Sequence, residues 1–219
     1  MSQDLVEVET GPNPVGTIIW MHGLGADGHD FEPIVPELVR PGERALRFVF
    51  PHAPVRPVTL NNGYRMRAWY DIVSIQRGSA QDEAGIRASH GIVESLIRRE
   101  NERGIASSKI VLAGFSQGGA MALYSGTRYP EKLAGIMGLS CYMLLETRFS
   151  AERVAANHST SVFLGHGTQD PVVSLTLGEA TRRMLETEGY SVEWHAYPMP
   201  HSVCPQEILD IATWLRHVV

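Results

Sequence analysis

Residues 109–130 read KIVLAGFSQGGAMALYSGTRYP, an apolar run that leads through a serine between glycines into a segment of small and apolar residues. The first part, residues 109–115, has the length and continuity of a buried strand. The second part, residues 116–130, predicts a helix that ends before Pro130, because the residue preceding a proline disfavours helical geometry. The run therefore predicts a strand, a sharp turn at Ser116 and a helix in direct succession.

The turn has the pattern Gly-x-Ser-x-Gly, with Gly114 and Gly118 on either side of Ser116. This is the pattern of a nucleophile elbow in an α/β-hydrolase, where strand and helix cross too closely for Cβ atoms at the glycines. Such a turn strains the serine backbone and places it at the free N–H groups of a helix N-terminus. The alternative is a glycine-rich turn that only packs a helix on a strand. The pattern favours Ser116 as a nucleophile.

Strands and helices alternate along the rest of the chain. Short apolar or alternating runs predict further strands, and amphipathic runs predict helices. This order predicts a single α/β domain over residues 1–219, with a mainly parallel central sheet and helices on both faces. The predicted strands are 17–22, 45–50, 133–140, 161–167 and 191–197, and the predicted helices are 81–103, 175–189 and 205–219.

Composition excludes several classes of function. The 219 residues carry a net charge of −5 without a basic patch, so nucleic acid is not an expected partner. The two cysteines, Cys141 and Cys204, have neither metal-site nor disulfide spacing, which favours a reduced, cytoplasmic protein. The N-terminal MSQDLVEVET lacks the apolar region of a signal peptide, and the apolar runs are too short for stable membrane insertion. The oligomeric state stays open, a homodimer included.

A serine nucleophile needs a base, and the base needs an orienting acid; in α/β-hydrolases the chain order is serine, acid, histidine. Only two aspartates follow Ser116, and they are Asp170 and Asp210. Asp170 follows a predicted strand in GHGTQDP, whereas Asp210 lies inside the last predicted helix, where a surface role is expected. Asp170 is therefore the predicted acid, with an N-cap of the next helix as its alternative.

The predicted base is His201, in the loop between the last strand and the last helix. His195 lies within an alternating strand, and His217 lies in the final helical turn, where a cation suits the helix dipole. His22 and His166 follow or end strands near the expected site. They are interpreted as hydrogen-bond partners that shape loops.

An acyl-transfer site also needs two N–H donors for the oxyanion. One is predicted to be the backbone N–H of Gln117, the residue after the nucleophile, so its side chain is expected to be free to vary. The other is predicted in the glycine-rich loop HGLGADGHD (residues 22–30), at Leu24 in preference to Gly23. The loop lacks G-x-G-x-x-G spacing, so a nucleotide cofactor is not expected.

Five segments together resemble the carboxylesterase and acyl-protein thioesterase family, which are small α/β-hydrolases without a large lid domain. The segments are HGLGADGHD (22–30), LNNGYRMRAWYDI (60–72), GFSQGG (114–119), GTQDPVV (167–173) and PMPHSV (198–203). The resemblance covers nearly the whole chain in order. It implies an ester or thioester hydrolase that uses Ser116, Asp170 and His201, with backbone donors at Leu24 and Gln117.

The segment RMRAWYDI has two interpretations, an apolar wall for an acyl chain or a strand packed into the core. The family resemblance implies that the region of Met66, Trp69 and Tyr70 helps to form an acyl groove, which the Leu24 side chain also lines.

The expected function is therefore hydrolysis of carboxylic esters or thioesters through an acyl-enzyme on Ser116, with no metal and no organic cofactor. Small-molecule esters and acylated proteins are the candidate substrates. The alternatives are a protein deacylase that removes long acyl chains from cysteines and a ligand-binding module that has lost turnover.

Overall fold

The computed structural model describes residues 4–76 and 78–219. The strands of the described chain are β1 (Leu5–Glu9), β2 (Gly16–Met21), β3 (Leu46–Pro51), β4 (Val55–Val58), β5 (Tyr64–Arg67), β6 (Ile110–Phe115), β7 (Gly135–Leu139), β8 (Ser161–Gly167) and β9 (Val192–Tyr197). Its α-helices are α1 (Val35–Leu38), α2 (Glu83–Glu102), α3 (Gln117–Gly126), α4 (Phe149–Glu152), α5 (Leu175–Thr187) and α6 (Pro205–Val218). Among the described residues, no helix has both the length and the hydropathy needed to cross a bilayer.

Seven strands form one sheet in the order β1-β3-β2-β6-β7-β8-β9, and β4 pairs with β5 in a separate hairpin. All neighbours in the large sheet are parallel except β1, which runs antiparallel to β3. The predicted α/β-hydrolase fold with a mainly parallel sheet is confirmed. Because the strands are parallel, their carboxyl ends share one edge, where ligands bind in such sheets.

The sheet is covered on both faces because residues of its central strands alternate between two cores. In β2, Ile19 and Met21 join the core that holds the buried faces of α2, α3 and α5. Ile18 and Trp20, from the same strand, join the core that contains α1 and α6. Both sets are apolar, which explains why a strand buried on two sides reads as one continuous apolar run.

Several elements were not predicted from the sequence, the short helices α1 and α4 among them. β1 forms where the sequence showed only an acidic N-terminal segment, and its LVEVE alternation places Val6 and Val8 on the α1–α6 core. The β4–β5 hairpin was also not predicted. No element was predicted for the residues of β4, and β5 overlaps the RMRAWYDI segment, for which a single core strand was one interpretation. Helix α3 also ends at Gly126, earlier than predicted, with Thr127 as its C-cap.

Candidate active site

Ser116 lies at the sharp turn between β6 and α3. Its φ of 53° and ψ of −118° are a strained conformation for a residue with a side chain. A Cβ at Gly114 would overlap the backbone of Gly118, and a Cβ at Gly118 would overlap the carbonyls of Met21 and His22. The two glycines are therefore required by the close crossing of strand and helix, as the sequence pattern predicted.

His201 and Asp170 are brought together at the same edge of the sheet. Nδ1 of His201 lies 2.6 Å from Oδ2 of Asp170, whose side chain is fully buried. The other oxygen, Oδ1, accepts the backbone N–H groups of Val172 and Val173 at 2.8 and 2.9 Å. Because a carboxylate only accepts hydrogen bonds, the proton of a neutral His201 is held on Nδ1. Its Nε2 is then left as a free base.

The loop of His201 packs directly on the elbow. The ring of Phe115, the residue before Ser116, lies with its centroid 4.7 Å from that of His201. Ser116 and His201 also line one cavity of about 260 Å³. This volume lies just below the range of about 300–1,000 Å³ that is usual for sites of drug-sized ligands.

The competing candidates lie elsewhere. Asp210 accepts the Tyr197 hydroxyl at 2.9 Å on the surface of α6. His195 is a half-exposed strand residue hydrogen-bonded to Glu193, and His217 is in the last turn of α6. Asp170 does not cap the next helix, because Ser174 holds the N-cap position of α5.

His22 shapes the loop that carries Leu24. Its Nε2 accepts the Ala53 N–H at 3.0 Å, so Nδ1 carries the proton and donates to the Gly23 carbonyl at 2.7 Å. Burial lowers the pKa of His22 to about 4, which keeps the ring neutral at pH 7. His166 plays the matching role beside Asp170, where its Nε2 hydrogen-bonds the Val173 carbonyl at 2.8 Å.

The two candidate oxyanion donors border the cavity. Leu24 and Gln117 both line it, next to Ser116. Among the described residues, neither backbone N–H has a hydrogen-bond acceptor. Both groups are therefore available to a bound oxyanion.

The expectation that the Gln117 side chain is free to vary is wrong. The side chain is buried, its Oε1 accepts the Trp69 N–H at 2.8 Å and its Nε2 donates to the Tyr70 carbonyl at 2.8 Å. Two hydrogen bonds from a buried amide fix both its position and that of the facing backbone.

The predicted groove residues divide into two groups. Leu24 and Tyr70 line the cavity wall. Trp69 is fully buried, and its indole N–H donates to the His22 carbonyl at 2.9 Å. It therefore lies behind the cavity wall, which agrees with the interpretation of RMRAWYDI as a segment packed into the core. Met66 is also outside the lining, since its sulfur is next to Asn61.

Most of the apolar lining was not predicted. The lining residues that were not predicted include Leu60, Ile75, Tyr142, Val172 and Val173, whereas Ile72 belongs to the RMRAWYDI segment that was considered as an apolar wall. The valines directly follow Asp170 in the recognised GTQDPVV segment, and Tyr142 lies in the turn beyond β7, at the same sheet edge. Proximity to the carboxyl ends of strands was the signal that would have identified them.

The sheet topology and the serine elbow together define a class, the serine hydrolases with an α/β-hydrolase fold. A more specific assignment comes from sequence comparison. A family model described as phospholipase/carboxylesterase matches residues 4–219. The chain belongs to this family, and it is a serine hydrolase of the carboxylesterase or acyl-protein thioesterase type. The family and the enzyme class expected from the sequence are confirmed.

Similar proteins are found among both curated sequences and solved structures. An acyl-protein thioesterase 1 of Neurospora crassa is 43% identical, with 91% of this chain and 85% of the relative covered. An acyl-protein thioesterase 1 of Mycosarcoma maydis is 37% identical, with coverage of 98% and 96%. The crystal structure of Arabidopsis thaliana SOBER1 has a TM-score of 0.86 at 31% identity, covering 92% of this chain and 98% of that one.

Proposed function

We propose that this protein is a protein deacylase that hydrolyses thioesters between long acyl chains and cysteines of other proteins. The observation that carries the proposal is the cavity shared by Ser116 and His201, whose remaining wall is largely apolar. An apolar wall beside the nucleophile suits an acyl chain. The relatives named acyl-protein thioesterase 1 support this reading over one restricted to small esters.

The proposed reaction has two halves. His201 Nε2 takes the Ser116 proton as the serine oxygen attacks the thioester carbonyl, and Asp170 stabilises the imidazolium through Nδ1. The N–H groups of Leu24 and Gln117 hold the oxyanion. When the C–S bond breaks, His201 protonates the cysteine thiolate, which leaves. A water then attacks the acyl-enzyme, giving its proton to His201, and the fatty acid is released with Ser116 protonated again.

The test is a series of cysteinyl peptides acylated with chains of 4 to 16 carbons, since the proposal expects kcat/KM to rise with chain length. Ser116→Ala is expected to abolish hydrolysis at every length. Ser125→Ala is the control, because this serine is buried in α3 and its hydroxyl has no hydrogen-bond partner among the described residues. It should keep activity near that of the wild type.

Two results would contradict the proposal at different levels. If short p-nitrophenyl esters are cleaved while long-chain acylated peptides stay intact, the protein is an esterase for small molecules. If Ser116→Ala retains the wild-type rate, Ser116 is not the nucleophile.

A further inference from the structure

Residues 67–70 lie between the two segments that carry the proposed oxyanion donors. On one side is the loop 22–25, which contains Leu24. On the other is the first residue of α3, Gln117. We call residues 67–70 the brace.

The brace holds the loop at points on both sides of Leu24. The Trp69 indole N–H donates to the His22 carbonyl at 2.9 Å, and the Arg67 carbonyl accepts the Gly25 N–H at 2.9 Å. Since these groups lie before and after Leu24, they limit the rotation of the peptide that presents the Leu24 N–H.

The brace holds α3 through the Gln117 side chain. That amide accepts the Trp69 N–H and donates to the Tyr70 carbonyl, each at 2.8 Å. Trp69 therefore bonds to the loop with its side chain and to α3 with its backbone.

Trp69 itself is held rigidly. Its side chain is fully buried, its ring lies 5.4 Å from that of His22, and the buried Ser89 hydroxyl of α2 donates to its carbonyl. All three polar groups of the residue are thus hydrogen-bonded inside the protein. A residue fixed this way can transmit a defined spacing between the segments that it joins.

We propose that Trp69 is a positioning residue that sets the relative orientation of the Leu24 and Gln117 N–H groups, and that it does not form the acyl groove. The inference rests on the proposed use of these two groups as oxyanion donors. Preorganised donors act on the transition state, so loss of the brace should lower kcat without raising KM.

The first variant is Trp69→Phe, which keeps an aromatic ring and removes the indole N–H. Since loss of a whole oxyanion donor costs about a hundred- to a thousandfold in kcat, loosening one should cost about ten- to a hundredfold. Trp20→Phe is the matched control. Trp20 is also buried and stacks on Phe31, but within the described part of the chain its indole N–H has no hydrogen-bond partner.

The loss in Trp69→Phe should be the same for short and long acyl substrates, with KM unchanged. Affinity for a short alkyl boronic acid, which forms a tetrahedral adduct on a catalytic serine, should fall by a similar factor. Trp20→Phe should change neither quantity beyond about twofold. Equal kcat in the two variants would overturn the inference, as would a loss that grows with chain length, because that is the signature of a groove residue.

A second variant reaches the brace from α3. Gln117→Met keeps the side-chain length and the backbone N–H but removes both amide hydrogen bonds, and it should reproduce the fall in kcat and in boronate affinity. If Trp69→Phe does not fold, Gln117→Met decides alone, and wild-type kcat would refute the inference. With p-nitrophenyl butyrate as substrate, the comparison remains valid even if acylated peptides are not cleaved.

Discussion

At the scale of single residues, Asp170 shows how one side chain separates two tasks. Its Oδ1 accepts hydrogen bonds from backbone N–H groups of the turn that follows β8, and its Oδ2 contacts His201. Both oxygens are buried, and a change in the hydrogen-bonding capacity of Oδ2 acts directly on the histidine.

Asp170→Asn should lower kcat by about four orders of magnitude, because the amide N–H₂ facing Nδ1 would favour the wrong tautomer of His201. Asp210→Asn is the control, since Asp210 is the other aspartate that follows Ser116 and it contacts Tyr197 instead. Steady-state kinetics on one thioester compares them. Similar rates for the two variants would remove Asp170 from the mechanism.

The sequence allowed only part of this residue-scale picture to be predicted. Ser116, Asp170 and His201 were selected because chain order and predicted strand ends restrict the choices. The roles of the Gln117 and Trp69 side chains depend on hydrogen bonds between segments that are far apart in sequence. A local pattern contains no information on such contacts, and a bulky aromatic residue beside the site resembled a groove wall.

At the scale of elements, helix α6 starts four residues after His201 and contains a buried acid in its first turn. Glu207 is fully buried, in space left by the missing side chain of Gly165. Burial raises the pKa of Glu207 to about 8, with a further contribution from nearby Asp210. The carboxyl is therefore neutral at pH 7 in the folded protein.

Glu207→Gln should flatten the dependence of stability on pH. An acid with a raised folded pKa stabilises the protein at low pH, and this contribution is lost as pH rises from 4.5 to about 8. At pH 9 the free energy of unfolding of the variant should exceed that of the wild type by on the order of 2 kcal/mol. Urea unfolding from pH 5 to 9 measures the effect. Exposed Glu102 provides the control Glu102→Gln, and parallel curves for all three proteins would contradict the prediction.

At the scale of the whole molecule, an ion-pair network joins β1, β3 and α2. The buried Glu100 accepts Arg47 at 2.7 Å and the Thr17 hydroxyl at 2.9 Å. Glu7 of β1 binds Arg103 through both oxygens, at 2.7 and 2.8 Å. The hydrogen bonds from Arg103 are the largest cause that lowers the pKa of Glu7, to about 2.

Glu7→Gln should lower the free energy of unfolding more at neutral pH than at acidic pH. A depressed carboxylate pKa adds stability above pH 4.5, and this is lost as pH falls through about 2. Because Glu7 is partly exposed, we expect the free energy of unfolding to fall by about 1–2 kcal/mol at pH 7 and by less towards pH 3. Thermal unfolding across this range measures it, and a loss independent of pH would show that packing of β1, rather than charge, is responsible.

The central strands of the sheet were more predictable from the sequence than the edge strand β1. Strands β2, β6, β7 and β8 are buried on both faces, so their apolar runs stand out from flanking loops. Edge strand β1 is half exposed, and its glutamates bind arginines distant in sequence. Chain order and strand ends selected the candidate triad, and the family resemblance agreed with it, because the motifs of the family lie at the ends of the buried strands.

The contact between His201 and Asp170 also makes the protein easy to observe. The nitrogen and the buried oxygen are only 2.6 Å apart, so we expect the proton between them to be strongly deshielded. Its resonance should stand far downfield of every amide signal in a proton NMR spectrum. Because it depends on the charge of the imidazole, the same resonance would report the protonation of His201 as an inhibitor binds, without a label.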